Sequence, residues 1–217
     1  MIITVHGAKG GQGTTTIAAA LALITARIGT RTLLVDTAGD LPHVLATTDP
    51  TGPGLADYLN PDRHDLALND IVQHVTENID LITTGTRPTP SFDTDSYGLL
   101  TSGCDTYDIV IIDTATHAPA WNRLADRNIL VTRPCYLALA RAVHADRPTD
   151  LVVIAEPGRA LTTTDIEAAL GIPVTTTIPH DPAIARCIDA GLLNTRRPRA
   201  LEHAARRLIT TATQAVR

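Results

Sequence analysis

Short runs of Ile, Val and Leu alternate with helical stretches along the whole chain, and this alternation limits the fold more than any other feature of the sequence. The runs span 2–6, 32–36, 79–83, 108–113, 128–132, 150–155 and 174–178. Short, almost wholly apolar runs are typical of parallel strands that are covered on both faces. The alternation therefore predicts a single α/β domain over 1–217, a doubly wound and mostly parallel sheet with helices on both faces.

Composition and charge exclude several classes of function. The 217 residues are 44% hydrophobic and 3% aromatic, with a formal net charge of -5. A negative net charge argues against a basic surface for nucleic acid, and so few aromatic side chains argue against a base-stacking platform. The three cysteines and eight histidines lack metal-ligand spacing, so we expect no metal site built from protein ligands alone. The sequence has neither a signal peptide nor a transmembrane segment, which predicts a cytoplasmic protein.

Glycine, proline and apolar spacing predict the remaining elements. The stretch 15–28 is rich in Ala, Leu and Ile and is predicted to be a buried helix ending at Gly29. Segments 49–61 and 85–96 have the composition of loops. A terminal helix over 198–216 is predicted from apolar residues at i, i+3 and i+4 spacing. These residues are Leu201, Ala204, Ala205, Leu208, Ile209, Ala212 and Val216.

A glycine-rich segment, GAKGGQGTTT at 7–16, joins the first predicted strand to the first predicted helix. Such a turn directs several backbone N–H groups and the positive end of the helix dipole into one concavity, which suits a polyphosphate. The alternative is an ordinary strand-to-helix turn. The placement of the glycine-rich segment between the first strand and the first helix favours the phosphate cradle.

Lys9, inside this segment, is the only lysine of the chain, whereas arginine occurs 17 times. Every other basic position is an arginine, so a lysine that served only as surface charge would be expected elsewhere as well. The placement of Lys9 favours a chemical role.

Residues 9–16 resemble the deviant Walker A loop of the ParA/MinD family of P-loop ATPases, whose pattern is KGGxGK followed by Thr or Ser. Lys9 falls on the signature lysine, which in that family reaches the phosphates across a dimer interface, and Thr15 falls on the hydroxyl position that ligates Mg²⁺. The resemblance implies ATP and Mg²⁺ as cofactors and a homodimer that forms with nucleotide. The implied cofactor-binding positions in the loop are Lys9, Gly10, Gly11, Gln12, Gly13, Thr14, Thr15 and Thr16.

Two further strand ends resemble other motifs of the family. Asp36 matches the first aspartate of the second-strand motif, and Asp113, within YDIVIIDT, matches the Walker B aspartate. The resemblance implies that Thr15, Asp36 and Asp113 are the metal-binding residues, with Lys9 and Asp36 as the catalytic residues. An aspartate at the end of a buried strand also needs a partner on physical grounds, and hydrated Mg²⁺ would provide one. Simple capping is the alternative for Asp113.

Two positions depart from the family's pattern. Thr14 occupies the place of the ordinary P-loop lysine, and Ala38 occupies that of a second aspartate, which helps to orient the attacking water. A threonine hydroxyl donates one hydrogen bond and carries no charge, so it stabilises the phosphoryl-transfer transition state less than an ammonium does. We expect hydrolysis to be weak or absent. Asp40 either substitutes for the missing aspartate or caps a loop or helix.

The base side of the predicted site matches the family less well. Within IPHDP at 178–182, Pro179 and Asp181 fall on the segment that lies near the adenine in the family, and the resemblance assigns both to cofactor binding. The strand before this segment ends in Ala155–Glu156–Pro157, where the family has an asparagine that reads the base. The segments AGDLPHVL and GPGLADYL resemble the divergent TadZ/CpaE branch of the family.

Three functional interpretations follow. The resemblance favours an ATP-binding spatial-organisation switch that dimerises with nucleotide and positions a cellular partner. The alternatives are a slow but genuine ATPase and a scaffold that no longer binds nucleotide. In the first two, Lys9 either bridges two subunits or serves the phosphates of its own subunit in place of the lysine absent at 14.

The C-terminal segment is basic, with a local charge of +5 from six arginines and Glu202. The arginines are Arg196, Arg197, Arg199, Arg206, Arg207 and Arg217. Either the terminal helix packs its apolar side on the sheet and turns its arginines to water, or the arginines bind DNA phosphates or another anionic partner. The second alternative predicts weak, salt-sensitive and sequence-independent DNA binding.

Overall fold

The structure, a computed structural model, describes residues 1–48, 51–60, 62, 65–87, 92–116 and 118–215, with side chains to residue 210. Its strands are β1 Ile2–His6, β2 Thr32–Asp36, β3 Val72–Thr76, β4 Ile79–Ile82, β5 Ile109–Ala115, β6 Arg127–Thr132, β7 Asp150–Ala155 and β8 Thr176–Pro179. They form one sheet in the order β3-β4-β2-β5-β1-β6-β7-β8. All neighbouring strands are parallel except β3 and β4, which are antiparallel. The predicted fold class is confirmed.

Helices cover both faces of this sheet. They are α1 Thr14–Arg27, α2 Leu41–Leu45, α3 Leu55–Tyr58, α4 Thr94–Ser102, α5 Pro119–Leu124, α6 Tyr136–Ala142, α7 Thr163–Leu170, α8 Pro182–Asp189 and α9 Arg199–Ala215. Side chains alternate along each strand, so Ile109 and Ile111 of β5 pack with α1 and α9, whereas Val110 and Ile112 pack with α3, α4 and α5. The helices α6 and α7 cover β6 and β7 on the second face. Both faces are therefore apolar, as the near-continuous Ile, Val and Leu runs predicted.

The edge strand β3 was not predicted from the sequence. Its five residues, VQHVT, include Gln73 and His74, and none of the five is buried. The strand pairs only with β4, in an antiparallel hairpin at the edge of the sheet. Hydrophobic periodicity detects strands that are buried, and β3 gains its structure from backbone pairing at an exposed edge.

The predicted terminal helix is confirmed as α9, which packs beside α1. Leu201, Ala204, Ala205 and Leu208 are buried, whereas Arg206 and Arg207 are exposed, and the side chains of Ala212, Val216 and Arg217 lie outside the described residues. Beneath the helix, Arg127 forms a buried ion pair with Asp150 (2.7 Å) and donates a hydrogen bond to the Leu208 carbonyl (2.8 Å). Across the ranges that the structure describes, no helix has the length and apolar character to cross a membrane.

The two predicted loops, 49–61 and 85–96, are correct only in part. The first contains the short helix α3, and the second contains the start of α4. The loops meet at Gly54 and Gly85, where a Cβ atom on Gly54 would lie 2.3 Å from the Gly85 nitrogen. Only glycine fits this backbone contact, so the glycines that suggested loose loops instead allow two segments to pack closely.

Candidate nucleotide-binding site

The glycine-rich segment leaves β1 and ends in the N-terminus of α1. Gly11 and Gly13 adopt left-handed conformations, with φ of 76° and 93°, which few residues other than glycine tolerate. A Cβ atom on Gly13 would lie 2.8 Å from Cδ1 of Ile154. Gly13 precedes α1 and supplies no side-chain cap, and the first turn of α1 contains no acidic residue. This geometry leaves the first N–H groups of a buried helix for an anionic ligand.

Gln12 fastens the loop to the neighbouring strand. Its side chain is 3% exposed, and its Oε1 accepts a hydrogen bond from the Arg133 N–H (2.9 Å), just after β6. The side chain of Gln12 therefore fixes the loop, and the backbone of this residue is the part left for a ligand.

A cavity of about 670 Å³ opens above the loop. It joins the loop to the segment that follows β2 and to the end of α8. Its walls include Lys9, Gly10, Gly11, Gly13, Thr14, Thr15, Thr16, Ala38, Asp40, His43, Thr116 and Asp189. Most of the loop positions predicted to bind the cofactor therefore share one cavity, whose lining includes one lysine and two exposed carboxylates.

Asp113 lies at the end of β5 with no solvent exposure. Its Oδ1 accepts a hydrogen bond from the Ala115 N–H (3.1 Å), whereas Oδ2 has no hydrogen-bond partner among the described residues. Burial, together with the charge of Asp36, raises the pKa of Asp113 to about 7, against the lowering effects of the adjacent Thr15 side chain and the Ala115 N–H. A buried carboxylate oxygen without a partner is costly, and hydrated Mg²⁺ is a ligand of the right charge and hardness for it.

Asp36 ends the adjacent strand β2 and is also fully buried, but its oxygens are occupied. Oδ1 accepts hydrogen bonds from the N–H groups of Ala38 (2.9 Å) and Gly39 (2.8 Å), and Oδ2 accepts one from the Leu41 N–H (3.0 Å). Burial raises the pKa of Asp36 above its usual value, although these three hydrogen bonds oppose the rise. The carboxylate thus holds the loop from Ala38 to Leu41 at the wall of the cavity.

Asp40 belongs to the same loop and is exposed in the cavity. It occupies the N-cap position of α2, yet within the described residues its side chain makes no capping hydrogen bond. The sequence left open whether Asp40 substitutes for the missing second aspartate or caps a loop or helix. Its exposed position in the cavity, without a capping bond among the described residues, favours the first alternative.

The segment after Asp113 has an unusual backbone. Ala115 has a φ of 46°, and its carbonyl accepts a hydrogen bond from the Gly7 N–H (2.7 Å), beside a register shift between β1 and β5. A left-handed alanine is strained, and such strain occurs often at functional sites. The bond joins the glycine-rich loop to the segment beyond Asp113.

The predicted base side lies next to the loop, in a cavity of about 150 Å³ that includes Gly13, Arg133, Pro179 and Asp181. Oδ1 of Asp181 accepts a hydrogen bond from the Ala183 N–H (2.8 Å) and caps α8. Pro179 and Asp181 therefore lie next to the loop, and one oxygen of Asp181 is used by the helix. Their binding of a cofactor stays a prediction.

Sequence reasoning missed an ion cluster at this base-side cavity. Glu156, just after β7, pairs with Arg133 and with Arg159, whose Nε lies 2.6 Å from Oε2. The hydrogen bonds from the two arginines lower the pKa of Glu156. The three residues come from two loops that are separated in the sequence. The only sequence signal at this place was that Ala155–Glu156–Pro157 lacks the asparagine that the family has there.

Comparisons with known proteins concern the N-terminal segment and the fold. The family model described as "Cellulose biosynthesis protein BcsQ" matches residues 1–46, which contain β1, the glycine-rich loop, α1 and β2. No curated protein sequence matches the chain.

Solved structures match over nearly the full chain. A ParA family ATPase from Chlorobium tepidum is 24% identical, with a TM-score of 0.71 over 94% of this chain and 95% of that chain. MinD from Aquifex aeolicus, in a complex with MinC, is 19% identical, with a TM-score of 0.78 over 96% of both chains. MinD from Pyrococcus horikoshii, bound to Mg-ADP, is 21% identical, with a TM-score of 0.74 over 95% and 93%.

The structural neighbours are ParA/MinD family ATPases, and the chain has their fold. The expected resemblance is confirmed at this level. The narrower resemblance to the TadZ/CpaE branch stays a prediction.

Proposed function

We propose that this protein is a ParA/MinD-type switch that binds ATP with Mg²⁺, forms a homodimer with nucleotide and positions a cellular partner. We expect it to act in the cytoplasm, where ATP is available. One observation carries the proposal: a buried carboxylate oxygen of Asp113 without a described partner lies beside Thr15, at the end of the glycine-rich loop. The fold alone would be compatible with many functions, so the proposal rests on this site.

The backbone of residues 10–16 would hold the phosphates, and Thr15 with Asp113 would hold Mg²⁺. Mg²⁺ would neutralise phosphate charge when bound. The three backbone hydrogen bonds of Asp36 favour a positioning role for this residue, in place of the direct metal contact and catalysis that the resemblance implied. Pro179 and Asp181 would flank the base, next to the Glu156 ion cluster.

The charge of the cavity favours slow turnover and metal-dependent binding. Lys9 is its only ammonium, and Asp40 and Asp189 are exposed beside it. Without a lysine at 14, these carboxylates repel the phosphates unless Mg²⁺ is present, and the transition state loses a positive charge. We therefore expect stable binding with weak or absent hydrolysis.

Binding and turnover of labelled ATP, with and without Mg²⁺, separate the three functional interpretations. Stable Mg²⁺-dependent binding without turnover supports the switch, measurable turnover supports the ATPase, and no binding supports the scaffold. Thr15→Val should abolish Mg²⁺-dependent binding. Thr30→Val, beyond the other end of α1, is the matched control and should leave it unchanged.

The role of Lys9 can be tested by measuring whether nucleotide-dependent dimerisation needs its side chain. Lys9 lines the cavity. We propose that Lys9 reaches the phosphates of a second subunit, so Lys9→Ala should lower the dimer fraction in ATP and leave the monomer folded. Light scattering that shows a monomer with and without ATP would exclude the bridging role.

The anionic partner proposed for the C-terminal arginines is supported by a groove of about 650 Å³ whose lining includes Arg186, Arg196, Arg197 and Arg199. Arg206, in contrast, is paired with Glu202. We propose that this groove binds DNA weakly and without sequence preference, through its phosphates. Reversal of Arg196, Arg197 and Arg199 to Glu should abolish salt-sensitive binding, whereas reversal of Arg31, Arg123 and Arg147 should have little effect. Binding that ignores both salt and the first reversal would leave only the packing role of α9.

A further inference from the structure

A second cavity, of about 370 Å³, lies at the same edge of the sheet but between α5 and α6. We call it the His6 crevice and define it by His6, Asn122, Arg123, Arg141, His144 and Asp146. It also shares Thr116 with the predicted nucleotide cavity. Ligands of open α/β sheets bind in crevices beyond the carboxyl ends of the strands, and the His6 crevice has this position.

His6, the last residue of β1, gives the crevice a buried polar group. Its side chain is among the buried ones at 7% exposure, and Nε2 has no hydrogen-bond partner in the described part of the chain. Burial lowers the pKa of His6 to about 4, against the opposing effects of Asp146 and Asn128. The ring is therefore neutral at physiological pH. A buried polar atom without a partner calls for a ligand or an ordered water.

The side chains that line the crevice carry a net positive charge, although the chain as a whole has a net charge of -5. Arg123 is paired with Asp146 (2.9 Å), so these two charges offset each other. Arg141 lines the same crevice and is exposed, and within the described ranges no residue pairs with its guanidinium. The ring N–H of His144 is a further donor in the crevice. One unpaired guanidinium beside a neutral, unpartnered imidazole suits a ligand with an anionic group.

We propose that the His6 crevice binds a small anion of the phosphate or carboxylate class. Arg141 holds the charged group, and Arg123 contributes a second guanidinium from the opposite wall. His6 contacts the bound molecule through its ring, at the carboxyl end of β1. The crevice adjoins the glycine-rich segment through Gly7 and Ala8, but its charged residues do not line the cavity proposed for nucleotide. Anion binding there does not depend on the proposed nucleotide switch.

The test is a titration of the folded protein, with its histidine rings labelled with ¹⁵N, in a chloride buffer without nucleotide. Inorganic phosphate is one probe and malonate is the other. Occupancy of the His6 crevice shifts the ring signals of His6 and His144, whereas phosphate bound at the glycine-rich loop shifts that of His43, which lines the other cavity. Saturable shifts of His6 with phosphate, malonate or both support the proposal and identify the class of anion.

Arg141→Ala should weaken this binding at least about tenfold, which corresponds to the loss of one charge-assisted contact. Arg31→Ala removes an exposed arginine that precedes β2, away from the crevice, and should change the affinity by less than about twofold. The proposal is overturned if neither probe shifts His6 up to about 10 mM, or if Arg141→Ala and Arg31→Ala have equal effects. Failure of ATP to bind would not affect this result, because the titration contains no nucleotide.

Discussion

Asp36 and Asp113 end neighbouring strands and are paired in register, yet the protein uses them differently. Both carboxylates are completely buried. Asp36 accepts three backbone hydrogen bonds from the segment that follows it, whereas one oxygen of Asp113 has no partner among the described residues. Burial raises the pKa of both groups.

The hydrogen bonds of Asp36 stabilise the loop that follows β2, whereas Oδ2 of Asp113 is available to a ligand. An unpaired buried carboxylate costs several kcal/mol, and the Ala115 N–H and the Thr15 side chain offset only part of this cost, since the pKa of Asp113 stays raised. Its position next to the glycine-rich loop supports the proposed Mg²⁺ site. The identity of the two residues as aspartates does not distinguish them; their hydrogen-bond partners do.

The largest effect is expected from restoring the two groups that the site lacks, a lysine at 14 and an aspartate at 38. Thr14→Lys together with Ala38→Asp should raise ATP turnover by about a hundredfold or more, because charge stabilisation and water orientation both return. Phosphate release from purified protein measures the rate. The same pair with Asp113→Asn should stay inactive. A wild-type rate as high as that of the double variant would show that the two departures do not limit hydrolysis.

Removal of each carboxylate should have opposite effects on the fold. Asp36→Ala leaves three backbone N–H groups without a partner and should lower the free energy of unfolding by about 3 kcal/mol. Asp113→Asn removes a buried charge and should leave the free energy of unfolding unchanged or raise it. Urea unfolding at pH 8 measures both. Equal losses in the two variants would remove the distinction between the strand ends.

The pH dependence of stability should reflect the raised pKa of Asp113. Between the unfolded pKa near 3.8 and the folded pKa of about 7, the folded state holds a proton that the unfolded state has released. Stability from this group is therefore present below about pH 4 and is lost as pH rises to 7, by up to about 1.4 kcal/mol per unit. Asp113→Asn should remove the contribution of Asp113 to the pH dependence of stability and leave the contribution of Asp36. Identical pH profiles for wild type and Asp113→Asn would contradict the assignment.

A smaller effect is expected at Asp189, an exposed carboxylate that lines the cavity. Unlike the carboxylate of Asp36, that of Asp189 accepts no backbone hydrogen bond within the described part of the chain. Asp189→Asn should raise the affinity for nucleotide about threefold at low salt, because it removes a like charge near the phosphates, and the gain should fall as salt increases. Titration with a fluorescent ATP analogue measures it. Asp95→Asn, exposed on α4, removes the same charge at a distance and should have little effect.

The sequence predicted the parts of the molecule whose signals are local. Continuous apolar runs gave the central strands, and the spacing within residues 7–16 predicted the loop and its helix. The positions of Asp36 and Asp113 at strand ends were also predictable. In contrast, the difference between them depends on the path of the loop from Ala38 to Leu41, which no local pattern specifies.

Long-range contacts account for the other misses. The ion cluster of Glu156 joins side chains from two loops, and the exposed strand β3 depends on its pairing with β4. His6 carries no motif, and its significance comes from α5 and α6, which form the crevice around it. Such features arise when separate segments meet, so sequence periodicity does not reveal them.

Calorimetric titration of the protein with ATP, with and without Mg²⁺, tests the assignment of Asp113 most directly when wild type and Asp113→Asn are compared. The account predicts that Mg²⁺ strengthens ATP binding to wild type by at least about tenfold, and that Asp113→Asn abolishes this gain while remaining folded. If Mg²⁺ strengthens binding equally in the two proteins, Asp113 is not the metal-binding carboxylate.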